Sequence, residues 1–118
     1  MPDLSSHILD AVSGKSARGI RVQLYRLRSG GEPETVFDVF SDEQGRIAES
    51  VEITDGELEQ SFEMLIDGHR YFVENHQLNE VAQHMKQVVI RLSMADREQR
   101  YHIPVVLSPH SYTVWWSE

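Results

Sequence analysis

The chain has 118 residues, 40% of them hydrophobic, which suits one domain with one apolar core and excludes a disordered or multi-domain protein. A balance of 11 Lys and Arg against 19 Asp and Glu leaves a net charge of -8 without a dense basic run, so nucleic acid is not an expected partner. The absence of cysteine excludes disulfides, thiolate nucleophiles, cysteine-held zinc and iron–sulfur clusters; no apolar stretch approaches the about 20 residues a bilayer needs, and residues 1–10 lack signal-peptide order, so a cytoplasmic protein away from membranes is expected.

In chain order, residues 4–11 predict a first strand, and the turn formers of residues 12–19 separate it from residues 20–26, where Ile20, Val22 and Leu24 alternate with Arg21, Gln23 and Tyr25. Residues 28–33 read as a loop, residues 35–41 as a strand, Ser41-Asp42-Glu43-Gln44-Gly45 as a turn, and residues 46–51 as a short strand. Phe62, Met64 and Ile66 define another strand, closed by Asp67-Gly68. Residues 71–84 are ambiguous, because Tyr71-Phe72-Val73 favours a strand while the rest favours a helix, and one short helix is expected there. Residues 87–94, a polar loop and residues 101–107 predict a hairpin, with Pro104 at an edge or bulge where its missing N–H is not needed. Ser108-Pro109-His110 then breaks the chain before an extended tail over residues 111–116. Seven or eight short strands predict an all-β, antiparallel sandwich forming a single domain over residues 1–118.

Chemistry at neutral pH points first to the six histidines, since imidazole is the side chain that titrates there. On a strand, His7 shares a face with Ser5 and Leu9, opposite Ser6, Ile8 and Asp10; His102 shares a face with Pro104 and Val106, opposite Tyr101, Ile103, Val105 and Leu107. Both lie on the less apolar face, which suits a wet groove and equally suits half-exposed strand residues. Arg46 follows the turn glycine Gly45, where its guanidinium could clamp an oxyanion or a urea-like group through paired N–H donors, or simply be solvated. His69, His76, His84 and His110 form no pattern, a zinc site built on His7 and His102 lacks a third ligand, and no phosphate loop or nucleophile elbow is present.

The opening Leu4-Ser5-Ser6-His7-Ile8-Leu9-Asp10-Ala11-Val12-Ser13-Gly14-Lys15, the turn Asp42-Glu43-Gln44-Gly45-Arg46 and the closing Tyr101-His102-Ile103-Pro104-Val105-Val106-Leu107-Ser108-Pro109 together resemble the transthyretin-related family, whose enzymes are 5-hydroxyisourate hydrolases. The resemblance runs through nearly the whole chain. It implies a transthyretin-like sandwich of two four-stranded sheets with one short helix over residues 68–75, assembled as a homotetramer with sites in a channel between dimers. It also implies His7, His102 and Arg46 as the catalytic groups, acting on a small-molecule substrate in urate degradation by hydrolysing a ring amide without metal or organic cofactor.

That family's enzymes end in Tyr-Arg-Gly-Ser, whereas this chain has Trp115-Trp116-Ser117-Glu118 at the matching positions. Tyr112, Trp115 and Trp116 are the expected substrate-binding residues, with the tryptophans stacking on a planar ring or filling a subunit contact. Replacing an arginine and adding a carboxylate would make this wall less hospitable to an anion. Two functions follow from the resemblance: a hydroxyisourate hydrolase, or a non-catalytic relative that holds a planar small molecule in the channel, as transthyretin does. Retention of two histidines and an arginine favours the hydrolase.

Overall fold

A computed structural model describes residues 1–53, 60–77 and 85–117; His84 and Glu118, both weighed above, lie outside them. The described elements are β1 (Asp3–Asp10), β2 (Lys15–Ser16), β3 (Arg21–Arg26), β4 (Glu34–Phe40), β5 (Arg46–Ser50), β6 (Ser61–Ile66), α1 (Gly68–His76), β7 (Val88–Ser93), β8 (Arg100–His102), β9 (Val105–Leu107) and β10 (Tyr112–Val114). They form the expected two-layer sandwich with one short helix, although one sheet holds six strands rather than four and includes parallel pairs, because the chain around β1 is broken into short segments. One sheet runs β4-β3-β6-β7, all antiparallel. In the other, β1 is central, flanked on one edge by β2 and β5 and on the other by β8 and β9, with β10 outside β9.

Alternation along each strand makes the core. Leu4 and Ile8 of β1, Val22 and Leu24 of β3, Phe62, Met64 and Ile66 of β6, and Val105 and Leu107 of β9 point between the sheets. Burying each such side chain contributes about 1.5–3 kcal/mol, so this shared apolar slab holds the layers together. Ser6 and Asp10, inward on β1 with Leu4 and Ile8, are buried as well and therefore need polar partners.

The predicted hairpin between residues 87–94 and 101–107 does not form. Strand β7 pairs with β6 in one sheet, whereas β8 and β9 pair in parallel with β1 in the other. The intervening loop is a crossover between layers, pinned by buried Met94, whose N–H donates to Gln60 O at 2.9 Å, and by the Tyr101 hydroxyl, which donates to Asp96 O at 3.1 Å. The apolar faces of these strands thus enter the core from opposite layers, β7 from one sheet and β8 and β9 from the other. Pro104 is likewise at neither an edge nor a bulge. The register offset to β1 is the same before and after it, Ser5 facing His102 and Ile8 facing Val105, so Pro104 interrupts the ladder without shifting it. Its carbonyl accepts from Trp115 N at 3.3 Å, and only the return bond toward the tail is lost.

Helix α1 overrides the strand preference of Tyr71-Phe72-Val73 because Tyr71 and Phe72 both reach the core from a helix. Asp67 caps it, accepting from Arg70 N at 3.3 Å, and Gln77 closes it in the left-handed region at φ 55°. Gly68 lets the first turn approach Leu107, whose Cδ2 would lie 3.1 Å from an added Cβ. The helix is thereby seated against the inner end of β1 and β9. No described helix is long and apolar enough to cross a membrane.

Candidate active site

Strand β1 sets Ser5 and His7 on the outer face of its sheet, two residues apart. Across one edge, Arg46 is the Cα partner of His7; across the other, His102 is the Cα partner of Ser5. Residues directly opposed in a ladder share a face, so two imidazoles and one guanidinium from distant parts of the chain come to one surface. They span two interstrand spacings, about 10 Å, and two residues of β1, about 7 Å, a footprint that long side chains can close over a small ring.

Backbone contacts fix the His7–Arg46 side. Gly45 has φ +73°, and its carbonyl accepts from Ile8 N at 2.8 Å. A Cβ on Gly45 would lie 2.5 Å from Ile8 O, so only glycine permits this approach. Asp42 shapes the turn, its Oδ1 accepting from Gln44 N and Arg46 N, each at 2.9 Å. The Arg46 side chain is exposed, and among the described residues its guanidinium has no partner, although its backbone is held firmly.

The two histidines are half-buried and held differently. Ser5 Oγ lies 2.7 Å from His102 Nδ1. Ser16 Oγ, from β2, lies 3.3 Å from His7 Nε2. Ser5 carried no signal in the sequence beyond sharing a strand face with His7, and Ser16, among turn formers, carried none, because their roles depend on the parallel β1–β8 pairing and on a two-residue strand inside a turn-rich segment.

The expected substrate-binding residues divide between faces. The β9–β10 pairing, Tyr112 with Leu107, Thr113 with Val106 and Val114 with Val105, continues to a bridge between Ser117 and His102. Ser117 N donates to His102 O at 2.9 Å. In this register Trp115 lies opposite Pro104, on the side of His102, while Trp116 belongs to the other side and stacks edge-on against Tyr101, centroids 5.3 Å apart. Tyr112 opposes the inward Leu107 and lines a recess with Gly68, Lys86 and Val88. Within the chain, then, Trp115 and Ser117 flank His102, and Tyr112 and Trp116 do not join it.

A second polar cluster occupies the inner face of β1. Asp10 is 1% exposed, and its Oδ2 accepts from the Tyr71 hydroxyl at 2.8 Å and bonds His76 Nε2 at 2.6 Å. Its Oδ1 accepts from Val12 N at 2.9 Å and Ser13 N at 3.1 Å. Burial pushes the Asp10 carboxyl up, but the hydrogen bonds from His76, Tyr71 and the two amides outweigh it and hold the group below the usual aspartate value. Burial, then the Asp10 carboxylate beside it, pushes the Tyr71 hydroxyl well above the usual tyrosine value. His76, patternless in the sequence, is thus the partner that an inward aspartate required. Among the described residues no group of three or more His, Asp or Glu could hold a metal ion.

The HIUase/Transthyretin family profile matches residues 4–116. The 5-hydroxyisourate hydrolase of Deinococcus radiodurans is 30% identical over 115 residues, 97% of this chain and 94% of that protein. The 5-hydroxyisourate hydrolase of Halalkalibacterium halodurans is 26% identical over 113 residues, 95% of this chain and 94% of that protein. The structure of Klebsiella pneumoniae 5-hydroxyisourate hydrolase shares the fold, with a TM-score of 0.78 and 23% identity, each chain covered completely.

Proposed function

We propose that this chain, which belongs to the HIUase/Transthyretin family, hydrolyses the six-membered ring amide of 5-hydroxyisourate in the cytoplasm. The observation that carries this reading is the outer face of β1, where ladder pairing sets Arg46 opposite His7 and His102 opposite Ser5. The curated relatives named as 5-hydroxyisourate hydrolases support the same substrate.

Water attacks the ring carbonyl carbon while a neutral imidazole of the His7 and His102 pair takes its proton. The carbonyl oxygen becomes an oxyanion, which the Arg46 guanidinium stabilises through N–H donors held on a rigid backbone. Collapse breaks the carbon–nitrogen bond, and the imidazolium returns its proton to the departing ring nitrogen. The product is a single ring-opened molecule bearing the new N–H and a carboxylic acid that ionises by releasing a proton to solvent, so neither redox equivalent nor group donor is consumed. General-base assistance contributes about 10²- to 10⁴-fold and a preorganised oxyanion donor about 10²- to 10³-fold.

The face is open in one chain, with Arg46 exposed and both histidines half-buried. A second wall supplied by another copy, in the channel of a homotetramer, would exclude water and strengthen the electrostatics. In that assembly Trp115, 44% exposed and on the side of His102, lines the channel, while Trp116, 46% exposed on the other side, fills a subunit contact.

The test is the ultraviolet decay of hydroxyisourate freshly made from urate. Purified chain is expected to accelerate decay well beyond the spontaneous rate, with the active species running as a tetramer in light scattering. Decay at the spontaneous rate, with the planar compound nevertheless bound, would replace the hydrolase by a carrier.

A further inference from the structure

We infer that Ser5 is a positioning residue that locks the imidazole of His102 with Nε2 bare and outward, making His102 the general base of the hydrolysis; this rests on the proposed hydrolase reading. The argument begins with an asymmetry between the two histidines. His102 is held through Nδ1, the ring nitrogen nearer the backbone, at 2.7 Å from Ser5 Oγ, whereas His7 is held through its distal Nε2, at 3.3 Å from Ser16 Oγ. His102 therefore offers its far-reaching nitrogen to a ligand over the sheet, and Nε2 has no hydrogen-bond partner among the described residues. The far nitrogen of His7 is already engaged.

Chemistry then fixes the direction of the Ser5 contact. A base must carry its lone pair on Nε2, which leaves the neutral ring's proton on Nδ1, donated to the Ser5 hydroxyl oxygen. After Nε2 takes the proton from water, Nδ1–H still needs an acceptor, and the same oxygen serves without rearrangement. Both ends of the contact are anchored by backbone. Ser5 O accepts from Ile103 N at 2.9 Å on one side of the ring, and Ser117 N donates to His102 O at 2.9 Å on the other. Ser5 is thus built into the strand beside the base, with no freedom to follow it elsewhere.

The direct test is nitrogen NMR of 15N-histidine-labelled chain. Wild-type His102 in its neutral form is expected to show the Nδ1–H tautomer, and Ser5→Ala to shift it toward the Nε2–H form that free imidazoles prefer. In the hydroxyisourate assay, Ser5→Ala is expected to lower kcat about tenfold, leave KM within about twofold and move the acidic limb of the kcat–pH profile. Ser5→Thr, which keeps the hydroxyl, should restore kcat to within about threefold. An Nε2–H tautomer in the wild type, or a Ser5→Ala protein with unchanged tautomer and unchanged pH profile, overturns the inference. If Ser5→Ala fails to fold, the wild-type tautomer decides alone. A chain that does not hydrolyse hydroxyisourate at all defeats the parent reading, while the tautomer measurement still judges the Ser5 contact separately.

Discussion

Strand β1 presents polar side chains to both faces of its sheet, and the two sets differ in how far they are satisfied. Inward, Asp10 is buried and takes four hydrogen bonds, from His76, the Tyr71 hydroxyl and two backbone amides. Outward, His7 has one long contact, His102 uses one of two ring nitrogens, and Arg46 has its guanidinium uncommitted among the described residues. The shifted ionisations of Asp10 and Tyr71 belong to the inner set. Perturbed acidity is a common pointer to active sites, yet here it follows complete internal satisfaction and marks the join between β1 and α1. The groups able to serve a substrate are those whose donors and acceptors are not already spent.

If the two faces divide labour in this way, substitutions should separate activity from stability. The largest effect is expected on the outer face. His102→Ala should lower hydroxyisourate turnover by about 10²- to 10⁴-fold and Arg46→Ala by about 10²- to 10³-fold, while the thermal midpoint of each stays within a few degrees. Loss of stability comparable to that of the inner-face variants would break the comparison.

Next, Asp10→Ala should cost roughly 3–5 kcal/mol in denaturant titrations, since it strands the Tyr71 hydroxyl, His76 and two amides around a buried site. The same carboxylate gives a pH signature. Its folded value lies below the unfolded one, so its stabilisation is complete above the usual aspartate range, about pH 4, and is lost as pH falls through the lower folded value. Subtracting the Asp10→Asn stability curve from the wild-type curve should therefore reveal a difference that shrinks below about pH 4; a constant difference would deny the carboxylate this role.

A smaller effect sharpens the boundary between the faces. Gly45→Ala forces a side chain into a positive-φ position, 2.5 Å from Ile8 O, and should cost about 2–3 kcal/mol, with turnover falling as well because Arg46 moves with the turn. Smallest of all, Trp116→Ala should remove an edge-on contact with Tyr101 worth about 1 kcal/mol, whereas Trp115→Ala should raise KM with little change in unfolding. Equal behaviour of the two tryptophans would contradict their opposite faces.

Much of this arrangement was legible in the residues. Alternation assigned His7 and His102 to the less apolar faces of their strands, and those are the outward faces found. Gly45 before Arg46 announced a turn that the positive φ bears out. Pairing partners were a different matter, because period-two patterning fixes which way a side chain points without saying which strand lies alongside. The expected hairpin of residues 87–94 and 101–107 failed for that reason, and with it went any view of Ser5 beside His102. The helix was obscured by Tyr71-Phe72-Val73, whose local preference yields to the core that Tyr71 and Phe72 fill. Alternation put Asp10 on the face of Ile8, but nothing in the spacing pointed to a partner for it or singled out His76.

The close approach of Gly45 to Ile8 has one more consequence. The separation of His7 and Arg46 is set by main chain against main chain, with no side chain wedged between as a spacer. Repacking the interior, by drift or by a designer's library, can therefore alter the robustness of the molecule without retuning that interval. Changing it would require inserting or deleting residues in the Asp42–Gly45 connection, so adaptation to a larger or smaller ring is more accessible through loop length than through point substitution.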